Sequence, residues 1–156
     1  MNENHKTTKS ESENKRKFEY LDDLPSDAGF IAYGKSIKEL FENSASALFS
    51  IIADINKIQP KKQIKILLSA KDVEELLYAF LSQIIAESEI NELFFSKAKV
   101  KISFDETKNE YQLKAELLGE EQSEEKGRNL VKAITLHDFS IKKENNEYVA
   151  KIYVDL

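Results

Sequence analysis

The chain of 156 residues is long enough to form one domain with a substantial buried core. It is 41% apolar and 33% charged, an ordinary composition for a globular protein, and its net charge is −5. Because it has no cysteine, disulfides, thiolate nucleophiles and zinc–sulfur sites are excluded. No apolar run approaches the roughly 20 residues that span a bilayer, and the N-terminus lacks an apolar signal segment. We therefore expect a cytoplasmic protein with no membrane partner.

The first 17 residues differ from the rest in composition. They contain five basic and three acidic side chains and no large apolar one after Met1. Such a segment buries too little apolar surface to offset the entropy of ordering it, so we predict a disordered polar tail over 1–17 and a single domain over 18–156. The domain carries a net charge of −7. An acidic body repels phosphate backbones, so we expect no tight direct binding of nucleic acid and a protein partner instead.

Two helices are predicted in the first half of the domain. Ser36 and Glu39 form a capping-box pattern, and apolar residues at helical spacing follow, so the first helix should span about 37–53. A short apolar strand is predicted over 63–68. A second helix is predicted over about 71–87, and its wide apolar face indicates packing on a sheet.

The second half of the chain changes to a period of two. Apolar and polar residues alternate over 99–104, 111–117 and 148–155, which is typical of strands with one buried face. The polar segments 105–109 and 143–147 separate such runs and predict hairpin loops. We predict an α+β fold, a two-layer sandwich in which two helices pack on a mainly antiparallel sheet.

Residues 119–129 form a polar segment with four glutamates. Its composition fits a solvated connection between strands. It also fits a mobile interaction loop, because loops carried on a rigid sheet often contact partners.

Carboxylates at the two ends of the domain suggest a metal site. Asp27 precedes a strand-like segment, and Asp155 stands next to Leu156, the last residue. If the two end strands are neighbours, Asp27, Asp155 and the α-carboxylate of Leu156 converge. Three such anions repel one another unless a hard cation lies among them, and oxygen-only ligands favour Ca²⁺, Mg²⁺ or Mn²⁺ over zinc. From the residues alone, Asp27 also fits a turn position and Asp155 a solvated strand end.

The order of several short segments resembles the archease family. That family opens with a stretch of the form "FLDHTADIGIEAYG" and a helix start like "TLEELFENAA". Later it shows a "GE" loop, a "KAVTYH"-like strand and a chain end of aspartate plus one aliphatic residue. The matching segments here are 18–22, 27–34, 36–45, Gly119-Glu120, 132–137 and Asp155-Leu156.

One segment departs from the family pattern. Where the family has His-Thr-Ala before its metal-binding aspartate, this chain reads Asp23-Leu24-Pro25-Ser26 before Asp27. It is one residue longer and has no histidine. The spacing from Asp27 onward is kept, so the resemblance assigns the family's ligand role to Asp27. Any role of the absent histidine is left open.

Archeases are small non-catalytic cofactors of the GTP-dependent tRNA-splicing RNA ligase. The resemblance implies that this protein is not an enzyme and has no catalytic residue. It implies a tRNA-processing role in which the protein promotes guanylylation of the ligase and its multiple turnover. The implied metal ligands are Asp27, Asp155 and the carboxylate of Leu156, with Ca²⁺ the first choice of metal and Mg²⁺ or Mn²⁺ as alternatives.

The residues are also compatible with two other functions. One is a general protein-binding or chaperone-like module. The other is a metal-dependent hydrolase, which is less supported because the chain has neither a nucleophile constellation nor a glycine-rich phosphate loop. We interpret His137 as a structural or loop-anchoring residue outside the metal set. A monomer is expected.

Overall fold

The computed structural model describes residues 17–21 and 27–156, with the backbone alone at Asp27. The predicted tail therefore lies outside the described residues except for Lys17, whose carbonyl accepts a hydrogen bond from the backbone N–H of Tyr33 at 2.8 Å. A single-turn 3₁₀ helix, Ile55–Lys57, follows the first α-helix. The other elements are, in chain order, β1 Phe18–Leu21, β2 Asp27–Gly34, α1 Ile37–Ile52, β3 Lys62–Ala70, α2 Val73–Asn91, β4 Leu93–Asp105, β5 Glu110–Glu121, β6 Ala133–Glu144 and β7 Glu147–Asp155.

The predicted α+β class and its helix-on-sheet packing are confirmed. The strands form two antiparallel sheets rather than one: a four-stranded sheet in the order β1-β2-β7-β6 and a three-stranded sheet in the order β3-β5-β4. Helix α1 packs against both β2 and β4, and α2 packs against β3 and β6. The helices thus join the two sheets around one core. No helix in the described part of the chain is long and apolar enough to cross a membrane.

Side-chain caps determine where the helices begin. Ser36 Oγ accepts a hydrogen bond from the N–H of Glu39 at 3.1 Å, so α1 begins as predicted. Helix α2 begins two residues later than predicted, because Asp72 is the N-cap and its Oδ1 accepts from the N–H of Glu75 at 2.8 Å. It also continues past residue 87 to Asn91, where Glu92 adopts a left-handed conformation with φ 53° and ends it.

The core lies between the helices and the inner faces of the two sheets. Phe41 of α1 stacks on Phe80 of α2 with ring centroids 5.8 Å apart, and both side chains are fully buried. Phe49 packs on Phe95 of β4 at 5.9 Å. Full burial of a side chain of this size stabilises the fold by about 1.5–3 kcal/mol.

The strands confirm the period-two prediction, with longer bounds. The strand predicted over 63–68 is Lys62–Ala70, and the two predicted hairpin loops connect β4 to β5 and β6 to β7. In the second hairpin, Asn145 and Asn146 have φ values of 52° and 63°. Asparagine tolerates this left-handed conformation better than most residues, and two such residues in succession are what a two-residue hairpin turn requires.

Candidate functional site

The two acidic positions from opposite ends of the domain meet in the four-stranded sheet. Strands β2 and β7 are antiparallel neighbours, and their register pairs Asp27 with Asp155. The condition set by the sequence analysis, that the two end strands are neighbours, is therefore met by the backbone. Directly opposed positions of an antiparallel ladder have Cβ atoms about 4.5–5.5 Å apart. The side chain of Asp27 lies outside the described residues.

The end of β7 is held in place from two directions. The backbone N–H of Lys132 donates a hydrogen bond to the carbonyl of Asp155 at 2.8 Å. The side chain of Leu156 is half-buried and packs against the hydrophobic core. Asp155 itself is exposed. The arrangement anchors the backbone and leaves the carboxylate of Asp155 accessible to solvent.

Asp155 forms no ion pair with a basic side chain in the described part of the chain, residues 17–21 and 27–156. Over the same ranges, no three histidine, aspartate or glutamate side chains are grouped closely enough to hold a metal ion. A site built from Asp27, Asp155 and the carboxylate of Leu156 is not a cluster of three described side chains. One of its ligands is a main-chain carboxylate, and the side chain of Asp27 is not described.

A buried tyrosine lies one step inward from the acidic pair. Gly29 pairs with Tyr153 in the same register, and Tyr153 is only 4% exposed. A methyl group at Gly29 would come within 2.5 Å of the Tyr153 ring, so the ring requires glycine at that position. The ammonium group of Lys151 lies 5.6 Å from the ring centroid. Tyr153 therefore packs over Gly29 in the part of the sheet next to the acidic pair. The need for glycine at this position depends on a residue more than 100 positions away in the chain, so no local sequence pattern reveals it.

His137 lies inside β6. The register of β6 with β7 is irregular between Thr135 and Ser140, and the N–H of His137 donates to Thr135 Oγ1 at 3.0 Å. The imidazole is 73% exposed and its centroid lies 6.2 Å from that of Tyr153. Its Nε2 is 3.5 Å from a carboxylate oxygen of Asp138. His137 is thus a surface residue whose ring lies beside that of Tyr153.

The polar segment after β5 begins later than predicted, because β5 continues through Glu121. Gly119 permits this, since a Cβ there would lie 1.9 Å from the carbonyl oxygen of Phe94, just before the bulge of β4 between Phe95 and Lys97. Glu120 is buried and accepts hydrogen bonds from Lys126 and from the backbone N–H of Gln59. These bonds, that from Lys126 foremost, lower the pKa of Glu120.

The same segment also satisfies backbone groups at the C-terminus of α1. The N–H of Arg128 donates to the carbonyl of Ile52 at 2.8 Å, and Asn129 Nδ2 donates to the carbonyl of Ile51 at 2.9 Å. Carbonyls in the last turn of a helix have no partner within the helix, so these bonds anchor the segment to the core. This is the arrangement expected of a structural connection between β5 and β6.

The segment that departs from the archease pattern, Asp23-Leu24-Pro25-Ser26, lies outside the described residues, as does Asp22.

The fold is therefore an α+β sandwich with two acidic positions paired at one end of its larger sheet. A model of the archease protein family matches residues 18–156. The chain is 34% identical over 142 residues to the protein archease of Sulfolobus acidocaldarius, covering 90% of this chain and 99% of that one. The chain belongs to the archease family.

Two solved structures show the same fold. The solution structure of Methanobacterium thermoautotrophicum protein 1598 matches with a TM-score of 0.75 and 31% identity, covering 89% of this chain and 98% of that one. A Thermotoga maritima crystal structure, described as an archease and possible chaperone, matches with a TM-score of 0.59. Its identity is 15%, over 87% of this chain and 95% of that one, so this second likeness concerns the fold alone.

Proposed function

We propose that this protein is a non-catalytic cofactor of the GTP-dependent tRNA-splicing RNA ligase, and that it promotes guanylylation and multiple turnover of that enzyme. The supporting observation is the register that pairs Asp27 with Asp155 beside the anchored end of the chain, in a member of the archease family. In this role the protein acts in the cytoplasm as a monomer, with residues 1–17 as a tail on the 18–156 domain.

The carboxylate oxygens at the paired positions are suitable ligands for a divalent cation. Like charges directly opposite each other in a ladder are destabilising, and a cation between them removes the repulsion. Asp27, Asp155 and the carboxylate of Leu156 would hold it. Ca²⁺ accepts oxygen ligands in flexible geometry, and Mg²⁺ or Mn²⁺ are alternatives. Three protein donors leave positions for water or for groups of the partner. When bound, such a cation supplies positive charge that can orient phosphate oxygens.

The residues around the pair keep it rigid and accessible. Leu156 and the hydrogen bond from Lys132 hold the end of β7, and Tyr153 packs over Gly29 beneath it. A constellation on packed strands is positioned more accurately than one on a loop. The exposed Asp155 is thus presented on a fixed backbone, as a partner with a concave active site would require.

The test is RNA ligation by the cognate ligase under multiple-turnover conditions, with GTP and divalent metal. The ligase alone should stop after few turnovers, and added wild-type protein should restore continued product formation. Asp155→Asn removes one charged ligand with little change in shape. Loss of even an outer-shell partner weakens metal sites by roughly 10–100-fold. We expect at least that loss of metal affinity from Asp155→Asn, and little or no stimulation at a metal concentration that saturates the wild type.

Glu106→Gln is the matched control, because it removes one negative charge from the turn between β4 and β5. It should stimulate the ligase as the wild type does. Full stimulation by folded Asp155→Asn protein would refute the role of the acidic pair. No stimulation by the wild type would favour the chaperone-like alternative, and product release by this protein without ligase would favour the hydrolase alternative.

A further inference from the structure

The outer face of the three-stranded sheet carries a concentration of basic side chains that the net charge conceals. Five lysines from its three strands are exposed on this face, which we call the lysine face. Its members are Lys65 of β3, Lys97, Lys99 and Lys101 of β4, and Lys114 of β5.

Strand periodicity and register bring these residues together. The side chains that alternate with them, such as Val100, Leu113 and Ala115, are buried in the core, so the lysines project from the opposite face. The register pairs Lys101 with Lys114 directly. The three lysines of β4 follow one another at every second residue, a spacing of about 6.5–7 Å.

Acidic side chains neutralise this face only in part. Glu116 pairs with both Lys65 and Lys99 in the ladder. Asp105 and Glu110 lie on the same face at the hairpin end of β4 and β5, where they pair with each other. None of the five lysines forms an ion pair with any residue in the described ranges of the chain. With Glu116, Asp105 and Glu110 included, the face has a net charge of +2, in a protein whose net charge is −5.

The face is also open to a ligand. A shallow groove of about 730 Å³ runs over it, lined by four of the lysines and by Leu67, which is 72% exposed. At the edge of the groove, Lys38 of α1 is paired with Glu42 at 3.3 Å. Like charges placed directly opposite in a ladder, as at Lys101 and Lys114, are destabilising. An anion bound in the groove would relieve that repulsion.

We propose that the lysine face binds the phosphate backbone of RNA, through charge and without base recognition. Lysine binds phosphate groups well through its positive charge. Protein–protein interfaces are depleted in lysine and enriched in arginine and aromatic residues, so a surface rich in lysine fits a phosphate ligand better than a protein partner. The regular row along β4 has a spacing close to that of successive phosphates in an extended strand. With Leu67 as the one strongly exposed apolar side chain of its groove, the face lacks the apolar area that membrane insertion needs.

The expectation of no tight direct nucleic-acid binding used the net charge of the domain, which does not describe how charge is distributed over this surface. The choice of RNA over other polyanions rests on the proposed function. The lysine face is distinct from the acidic pair, which lies in the other sheet. Binding of RNA can therefore be measured without the ligase and without metal.

The experiment is fluorescence anisotropy of a labelled single-stranded RNA 20-mer and of a folded tRNA, at 50 mM KCl with EDTA. The wild type should bind with a dissociation constant in the range of roughly 1–100 μM, and log affinity should fall linearly with log salt. A variant with Lys99→Gln, Lys101→Gln and Lys114→Gln should bind at least about tenfold more weakly. Its salt slope for the 20-mer should fall by about 2, because each phosphate contact on single strands contributes about 0.7.

A matched variant distinguishes an effect of the lysine face from an effect of the net charge of the protein. Lys35→Gln, Lys71→Gln and Lys142→Gln removes three exposed lysines from elsewhere and should change the affinity less than twofold. Glu116→Gln, which removes one negative charge from the face, should bind RNA more tightly than the wild type. All variants should retain the wild-type circular dichroism spectrum.

Three results would overturn the proposal. One is absence of RNA binding by the wild type at 50 mM KCl. Another is an equal loss of affinity in both triple variants, which would mean that only net charge matters. The third is binding of polyglutamate, or of vesicles containing phosphatidylserine, that matches or exceeds binding of RNA. None of these outcomes bears on stimulation of the ligase by the acidic pair, so the two proposals fail separately.

Discussion

The half-buried side chain of Leu156 offers a test of how the end of β7 is positioned. Replacing Leu156 with serine keeps the α-carboxylate and removes the apolar group that packs against the core. Full burial of a leucine contributes about 1.5–3 kcal/mol, so a half-buried one contributes about 1 kcal/mol. For a domain of this size, that loss lowers the melting temperature by about 2–4 °C.

The same substitution should weaken metal binding by more than its effect on stability suggests. Once Leu156 no longer packs, its backbone becomes free to move, and ordering one residue again costs about 1–2 kcal/mol. At 1.4 kcal/mol for each factor of ten, the affinity for the cation should fall by about five- to thirty-fold. Asp27 and Asp155 are unchanged in this variant, so the loss reports the position of the carboxylate alone.

Metal affinity can be measured by terbium luminescence excited through tyrosine, with Ca²⁺ as the competitor, because the chain has six tyrosines and no tryptophan. Leu136→Ser is the control, since Leu136 is 68% exposed on β6 and should alter neither the affinity nor the melting temperature. An unchanged cation affinity in a Leu156→Ser protein whose melting temperature has fallen would show that the carboxylate of Leu156 is not a ligand.

The remaining predictions concern stability. Glu120→Gln should destabilise the fold at neutral pH, because the hydrogen bond from Lys126 lowers the pKa of Glu120 in the folded protein. The greater stability of the wild type should be lost as the pH falls below the ordinary glutamate pKa of 4.5. Equal urea midpoints of wild type and variant at pH 7 would contradict this. Asn129→Ala should cost about 1 kcal/mol through loss of the bond to the carbonyl of Ile51. Asn129→Asp should cost about 1 kcal/mol more, because it places a negative charge at the C-terminus of a helix; a more stable Asp variant in urea unfolding would contradict this order. Phe80→Ala should cost about 3–5 kcal/mol, since the ring is fully buried, and a change below 1 kcal/mol in the same assay would show that its cavity collapses.

Much of the local structure follows from short-range patterns. Ser36 begins α1 because its side chain meets an N–H three residues later, and that spacing is visible in the sequence. Alternation over β5 and β7 separates buried from exposed faces for the same reason, since successive side chains of a strand point to opposite sides. The ends of helices and strands are harder to predict where they depend on a contact with a residue far away in the sequence. Gly119 is an example, because β5 can continue past it only where the residue facing the backbone of Phe94 has no side chain.

The fold class, the presence of aspartates at positions 27 and 155, and the resemblance of the chain to the archeases can all be recognised in the residues. The division of the strands into two sheets cannot, nor can the pairing of β2 with β7 that sets Asp27 opposite Asp155, nor the gathering of lysines from three strands on one face. Periodicity and capping are visible in the sequence because they depend on neighbours within a few residues. Register between strands more than 100 residues apart depends instead on the packing of the whole core, which no local pattern contains.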